Sequence, residues 1–337
     1  MKAMVVGLGN MGVSHALGLH HHPDAEIVGL VNRSPVDLPE ALTGYPRPES
    51  FEAGLALGPE IVVVATHADS HADLAIRAME AGAHVFVEKP LAATVADAER
   101  VVGVARATGR KLVVGYILRH HPSWVRLIEE ARALGGPYVF RMNLNQQSTG
   151  REWETHRKLM RSTSPIVDCG VHYADVMCQI AGGKPVRVQG IGLRLTDEID
   201  EGMYNYGQFQ VVFADGSVGW YEAGWGPMMS ETAFFVKDVV SPAGSVSIVD
   251  ADKAGSAEIG GHTSVGGLLV HTPEGDRLVD LPDEPDHDAL CAAEQAYLID
   301  AIREDRDLTD HMTDAVESLR ICLAADESIR MGRPVEL

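Results

Sequence analysis

The feature that most constrains this chain is Gly7-Leu8-Gly9-Asn10-Met11-Gly12, a GxGxxG run that follows the short apolar stretch Ala3-Met4-Val5-Val6. A helical pattern (Val13, Ala16, Leu17) comes next, and a second apolar stretch, Ile27 to Val31, closes a unit of βαβ length. The three glycines have separate tasks in such a unit. Gly7 permits the tight turn, Gly9 lets backbone approach a pyrophosphate, and Gly12 lets the helix lie close to the strand. The first-turn N–H groups, Asn10 and Met11 included, and the helix dipole then face the phosphates. A lone GxGxxG is a weak signal. Lodged between a strand and a helix, it predicts dinucleotide binding rather than a plain strand–turn–helix.

The end of the second strand discriminates between cofactors. NAD enzymes of this architecture place an Asp or Glu for the ribose 2′-OH about 20 residues past the last glycine. Here that count reaches Asn32-Arg33-Ser34, with no acid. An amide, a guanidinium and a hydroxyl can all donate to a 2′-phosphate, whereas a carboxylate would repel it. The alternative is a solvated turn before Pro35. NADP is favoured and NAD remains open.

At 337 residues the chain can build two substantial domains, and its composition is globular, 45% apolar and 23% charged. No run reaches the roughly 18 apolar residues of a membrane helix. Met1-Lys2 leads straight into a strand, so no signal peptide is expected. Cys169, Cys178, Cys291 and Cys322 show no CxxC spacing, and reduced thiols in a cytoplasm are the default. A net charge of −20 argues against nucleic acid or an anionic membrane as partner and suits a neutral substrate.

Beyond Arg33 the chain is turn-rich up to Ile61-Val62-Val63-Val64-Ala65, a β-branched run fit for a strand covered on both faces. Thr66, His67 and His71 follow it, then a helix that Gly82 stops. His84-Val85-Phe86-Val87 is the next strand, with Glu88-Lys89-Pro90 at its end, then a helix from Thr94 to Ala107 and a strand from Lys111 to Gly115. Alternating strand and helix is the doubly wound parallel pattern, an α/β Rossmann arrangement whose ligands lie beyond the carboxyl ends of the strands. The glycine loop, Thr66–His67 and Glu88–Lys89 all fall at that edge.

Val64-Ala65-Thr66 with His71, Gly82 through Glu88-Lys89-Pro90-Leu91-Ala92, and Asp168-Cys169-Gly170-Val171-His172-Tyr173-Ala174-Asp175 closely resemble the Gfo/Idh/MocA family of oxidoreductases. Tyr116-Ile117-Leu118-Arg119 with Pro122 is similar to that family's crossover into its second domain. The resemblance covers essentially the whole chain. It departs at His67, where a proline is common, and at Ser162-Thr163-Ser164-Pro165, which replaces a glycine-rich lead. By the resemblance, the first is expected to reshape contacts on the nicotinamide side of the cofactor and the second the substrate pocket.

We divide the chain at 1–118, the nucleotide domain, and 119–337, a substrate and oligomerisation domain. From Pro137 the segments Tyr138–Leu144, Val186–Leu193, Tyr206–Phe213, Val218–Gly224, Thr232–Val240 and Leu268–His271 are short and β-rich, with hairpin signals at Asp215-Gly216 and Glu274-Gly275. No long helices are expected between them, which predicts an α+β domain with a mostly antiparallel sheet. The family resemblance implies that one sheet face is buried between subunits, as a homodimer or homotetramer. Trp220, Tyr221 and Trp225 suit either that interface or an ordinary core, with core preferred. The tail from Asp288 to Met331 reads as helices packing back.

Oxidising a carbinol requires a proton acceptor, and a nearby cation stabilises the developing alkoxide. Lys89, at a strand end beside the expected nicotinamide, fits the cation; the bland alternative is a surface pair with Glu88. His172 fits the acceptor, with Asp168 four residues earlier to orient it if the stretch is helical. The bland alternative there is a capping Asp beside a packed His. The resemblance implies Lys89, Asp168 and His172 as the catalytic set. It also implies a sugar, inositol or related polyol as substrate. Tyr116, Arg119, Trp153 and His156 are candidate pocket residues, with the alternative for Arg119 that it only pairs with an acid. Asp168, Cys169, His172 and Asp175 cluster, and D-x3-H on a helix can bind zinc, but no second ligand cluster accompanies them and no metal is expected. His20-His21-His22 reads as a solvated helix end. The competing functions are oxidation followed by elimination, a lyase or glycosidase outcome, and a non-catalytic NAD(P)- and sugar-sensing regulator.

Overall fold

The computed structural model describes residues 1–230, 236–249, 267–281 and 284–337. They form two compact units: Met1–His120 with Pro285–Val316, and His121–Glu284 with Glu317–Leu337. A single cut after residue 118 therefore misplaces Pro285–Val316, whose apolar pattern predicts a helix but does not say which unit it completes. No helix among the described residues is long and apolar enough to cross a membrane.

In unit 1 the β-branched runs become β1 (Lys2–Val6), β2 (Glu26–Val31), β3 (Ile61–Val64), β4 (His84–Val87) and β5 (Leu112–Val114). They form one parallel sheet in the order β2-β1-β3-β4-β5. β1 is followed by α1 (Asn10–His21), β3 by α3 (Ala68–Glu80) and β4 by α4 (Val95–Thr108); α2 (Phe51–Leu55) precedes β3. Thr94 caps α4 by accepting from the Asp97 N–H, and Gly109 closes it at φ +65°. From β1 the chain steps outward to β2 and then returns to β3 on the other side of β1. That reversal opens a crevice at the carboxyl ends of β1 and β3, the usual ligand position of an open α/β sheet. The later helix α8 (His287–Arg303) lies on α1, so close that a side chain at Gly18 would meet the backbone of Ala292 at 3.0 Å. Ala16 and Leu19 share a core there with Leu298, Ile299 and Ala301.

The described residues of unit 2 form β6 (Val139–Gln146), β7 (Pro185–Leu193), β8 (Tyr206–Phe213), β9 (Val218–Trp225), β10 (Lys237–Ser241), β11 (Gly244–Val249), β12 (Gly267–Thr272), β13 (Gly275–Asp280) and β14 (Val335–Glu336). They make one sheet in the order β13-β12-β11-β10-β6-β9-β8-β7-β14. The expected strand Thr232–Val240 is described only from residue 236 on, and begins at Lys237. All pairings are antiparallel except β6 with β9. The expectation of no long helices fails: α6 (Gly150–Leu159) and α7 (Pro165–Ile180) lie between β6 and β7. The start of α7 carries ordinary helix signals. Ser164 accepts from the Val167 N–H as N-cap, and Pro165 sits in the first turn. α5 (Pro122–Leu134) and α7 cover one sheet face, where Tyr221 and Trp225 are fully buried, while Trp220 on the other face is half-exposed. The last helix, α9 (Thr309–Met331), contributes its first part to unit 1 and the rest to unit 2.

Candidate functional site

The glycine loop has the geometry its sequence demands. Gly7 has φ +87°, and a Cβ there would stand 2.4 Å from the Ala65 carbonyl oxygen. A Cβ on Gly12 would stand 1.8 Å from the Gly7 carbonyl oxygen. Around Gly9 no atom lies within 4 Å of the corresponding position, so the space before the helix start is open to a ligand. α1 has no acidic residue in its first turn, and its first internal bond runs from the Val13 N–H to Gly9. The Asn10, Met11 and Gly12 N–H groups precede that bond and are left to an outside acceptor. The residues fit a pyrophosphate.

Beyond β2, the Asn32 side chain is already committed: Oδ1 accepts from the Leu8 N–H (2.9 Å) and Nδ2 donates to Ser34 O (2.8 Å). Asn32 therefore braces the loop, while Arg33 and Ser34 are exposed. After β3, Thr66 is half-buried and bonded to Ser70 (Oγ1 to Oγ, 2.7 Å), and His67 is exposed at the N-cap of α3. His71 is buried with Nδ1 at 2.8 Å from Pro90 O and Nε2 at 3.0 Å from Thr66 O. It ties two strand-end loops together. Burial holds its pKa below the usual value, against the pull of the two carbonyls.

At the end of β4, Glu88 is buried and Lys89 half-buried, and the Lys89–Pro90 peptide is cis. The Glu88 carboxylate turns inward. Oε1 lies 2.6 Å from His15 Nε2, and Oε2 accepts from the Lys89 backbone N–H (3.0 Å). Nearby on α8, neither carboxylate oxygen of Glu294 has a hydrogen-bond partner among the described residues. Burial, helped by the Glu88 charge, pushes Glu294 well above the carboxylate range. Folded protein thus keeps a proton that the unfolded chain releases above its ordinary value of 4.5. Stability must fall as pH rises through that window, because the native state binds more protons than the unfolded one. Melting temperatures of wild type and Glu294→Gln should diverge in the variant's favour as pH is raised from about 5 to about 9. Parallel curves would show that Glu294 does not titrate there.

In unit 2, α7 is buried at every position from Pro165 to Asp175 except Asp168 and His172. These two are half-buried and, at i and i+4, share one helix face. Asp168 also lies in the first turn, where the helix dipole favours its charge. The neighbouring Cys169 Sγ is 3.4 Å from Gln146 Oε1, which also accepts from Trp225 Nε1 (2.6 Å). His156 stacks on Trp225 at 4.3 Å between ring centroids, and Trp153 Nε1 reaches Glu198 Oε2 at 3.3 Å. α6 thus brings Trp153 and His156 to the same part of unit 2, together with Gln146 and Trp225, which sequence reasoning did not place in a site.

The other two expected pocket residues belong to unit 1. Tyr116 is fully buried with its hydroxyl 3.4 Å from Ala315 O, a core position that gives a substrate no access. Arg119 pairs with Asp314 (2.8 Å). Among the described residues, the His, Cys, Asp or Glu atoms close enough to share a cation are those of His15, Cys291 and Glu294, within 4.8 Å of one another, not the set around Asp168.

A glycine cradle at the switch point of a five-stranded parallel sheet defines a dinucleotide-binding unit, joined here to a second unit built on a large mixed sheet. Residues 1–116 match the model of an oxidoreductase family with an NAD-binding Rossmann fold, and residues 125–235 match that of the Gfo/Idh/MocA C-terminal domain. The chain belongs to the Gfo/Idh/MocA family of oxidoreductases. It is 24% identical to scyllo-inositol 2-dehydrogenase (NAD(+)) of Bacillus subtilis (strain 168), over 100% of this chain and 96% of that protein. Inositol 2-dehydrogenase 1 of Saccharopolyspora erythraea is 31% identical over 204 residues, 56% of either chain. Among solved structures, an oxidoreductase from Agrobacterium radiobacter in complex with NAD+, L-tartaric acid and magnesium has the same fold. Its TM-score is 0.79 at 18% identity, over 100% of this chain and 98% of that one.

Proposed function

We propose that this protein oxidises a secondary hydroxyl of a sugar, inositol or related polyol, or reduces the corresponding ketone, with a nicotinamide dinucleotide. The observation that carries this reading is the Asp168–His172 pair, left half-exposed on an otherwise buried helix segment in a member of this oxidoreductase family. When bound, the nicotinamide supplies the hydride acceptor or donor. His172 takes the hydroxyl proton in oxidation and returns it in reduction, and Asp168 orients the imidazole and balances its positive charge. The Lys89 ammonium donates to the substrate oxygen and stabilises it as it becomes an alkoxide. Trp153, His156 and Arg119 shape or brace the substrate's surroundings. The test is reduced-nicotinamide absorbance with NADP or NAD across a panel of sugars, inositols and polyols. Silence throughout, with cofactor binding shown separately, would overturn the dehydrogenase reading in favour of oxidation–elimination or sensing.

For the cofactor we propose NADP, read by Arg33 and Ser34, because no carboxylate stands at the end of β2. A charge-assisted bond to the 2′-phosphate contributes about 1.5–3 kcal/mol. Arg33→Ala should therefore weaken NADPH binding by roughly 10- to 100-fold and change NADH binding little. Equal affinity of the wild type for both cofactors would mean that Arg33 reads no phosphate.

Among the described residues, the face of the unit 2 sheet opposite α7 exposes Val139 and Val218, paired across β6 and β9, and Ile191 and Leu193 on β7. We propose that this face joins copies of the chain into a homodimer or homotetramer. Light scattering should then give a multiple of 36.3 kDa, and a monomer mass would sink the idea.

A further inference from the structure

Beneath the turn that carries Lys89, unit 1 contains a run of buried hydrogen bonds drawn from three separate elements. Gln295 Nε2, on α8, is 3.0 Å from His15 Nδ1, on α1. His15 Nε2 is 2.6 Å from Glu88 Oε1, at the end of β4, and Glu88 Oε2 accepts the Lys89 backbone N–H at 3.0 Å. His15 is 0% exposed, Gln295 1% and Glu88 5%. With the amide oriented as placed, Gln295 Nε2 donates to Nδ1, and the proton on His15 Nε2 is donated to the Glu88 carboxylate. The His15 ring is further fixed by Phe86, 4.6 Å away between ring centroids on β4.

Such a chain fixes the heavy atoms of its members. In a buried site each broken link leaves a polar group without water or partner, so Glu88 cannot swing without stranding His15 and the Lys89 N–H. We propose that His15 and Gln295 are positioning residues: they lock Glu88, and through it the backbone of Lys89, so that the lysine ammonium is delivered to one fixed place. This rests on the reading of Lys89 as the group that meets the substrate oxygen. The same pocket holds His15, Cys291 and Glu294 at a spacing a cation could use. Both ring nitrogens of His15 are already engaged, so a metal there would displace Gln295.

The experiment compares His15→Phe, which keeps a ring and removes both nitrogens, with Gln295→Met and with His15→Gln, whose amide can still donate to Glu88. Turnover is followed with the panel substrate most active in wild type, and NADP binding by fluorescence. A misplaced reacting group costs up to about 10²-fold. His15→Phe should therefore lower kcat roughly 10- to 100-fold with the Kd for NADP within about threefold, and His15→Gln should recover most of the loss. A second readout needs no catalysis. The protein is reductively 13C-methylated and the Lys89 resonance, identified by its absence in Lys89→Arg, is titrated; its midpoint should move in His15→Phe and Gln295→Met. An unmoved midpoint with kcat within about twofold of wild type would reduce His15 to a fold residue, as would stoichiometric zinc in the purified protein. Should Lys89→Ala itself retain turnover, the catalytic reading of Lys89 falls, while the Lys89 titration still decides whether His15 positions it. If His15→Phe does not fold, Gln295→Met carries both readouts.

Discussion

Replacing Lys89 by alanine is expected to lower kcat at least about 10³-fold while leaving cofactor affinity within about threefold. The lysine stands two residues past Val87, the last residue of β4, at the carboxyl edge of the sheet where the glycine loop and Thr66 also lie. Its neighbour Glu88 does not simply offer it a surface ion pair, because both Glu88 oxygens are drawn inward, to His15 and to the Lys89 backbone N–H. A half-buried lysine held by its own main chain can direct its ammonium at a substrate oxygen, and a cation there acts chiefly as charge develops on that oxygen. Removing it should therefore appear in kcat more than in KM. Lys89→Arg should rescue little, since a planar guanidinium does not replace a compact ammonium. Initial rates, cofactor binding and a melting curve on each variant check this. Unimpaired turnover in Lys89→Ala would remove the assignment outright.

How much of this was legible depended on whether the information was local. Strand β4 begins and ends where the apolar run His84–Val87 does, and β8 likewise matches Tyr206–Phe213, because a buried strand writes its boundaries in consecutive residues. The Gly7 and Gly12 positions were equally plain, since their constraint comes from a turn a few residues long. The parallel pairing of β6 with β9 was not, because some seventy intervening residues, α6 and α7 among them, bring the two together. Nor was the network at residues 15, 88 and 295, which no sequence window contains. A signal existed all the same. His15 stands on the stripe of α1 that also buries Gly12, Ala16 and Leu19, and Glu294-Gln295 sits amid the buried stripe Leu290, Cys291, Leu298, Ile299 of α8. Polar residues in the middle of an apolar stripe announce buried partners without naming them. The bracing role of Asn32 was hidden for the same reason: its bonds to Leu8 and Ser34 are a pattern that only the folded loop discloses.

His172→Ala is expected to cost about 10²- to 10⁴-fold in kcat, the range of a positioned general acid–base. The helix gives the reason. From Pro165 to Asp175 it buries everything except Asp168 and His172, and one helical turn sets the carboxylate beside the imidazole. A pair of that kind separates orientation from proton transfer, so the two substitutions should differ. In His172→Ala the proton must go to solvent, and the residual rate should climb with pH. In Asp168→Asn the base survives but loses the charge that balances its protonated form, so the loss should be smaller. The double variant should then lose little more than His172→Ala alone, because Asp168 acts through His172. Full additivity would mean that the two residues work independently. A loss below about tenfold for His172→Ala would be too small for acid–base work, and the proton would have to leave by another group.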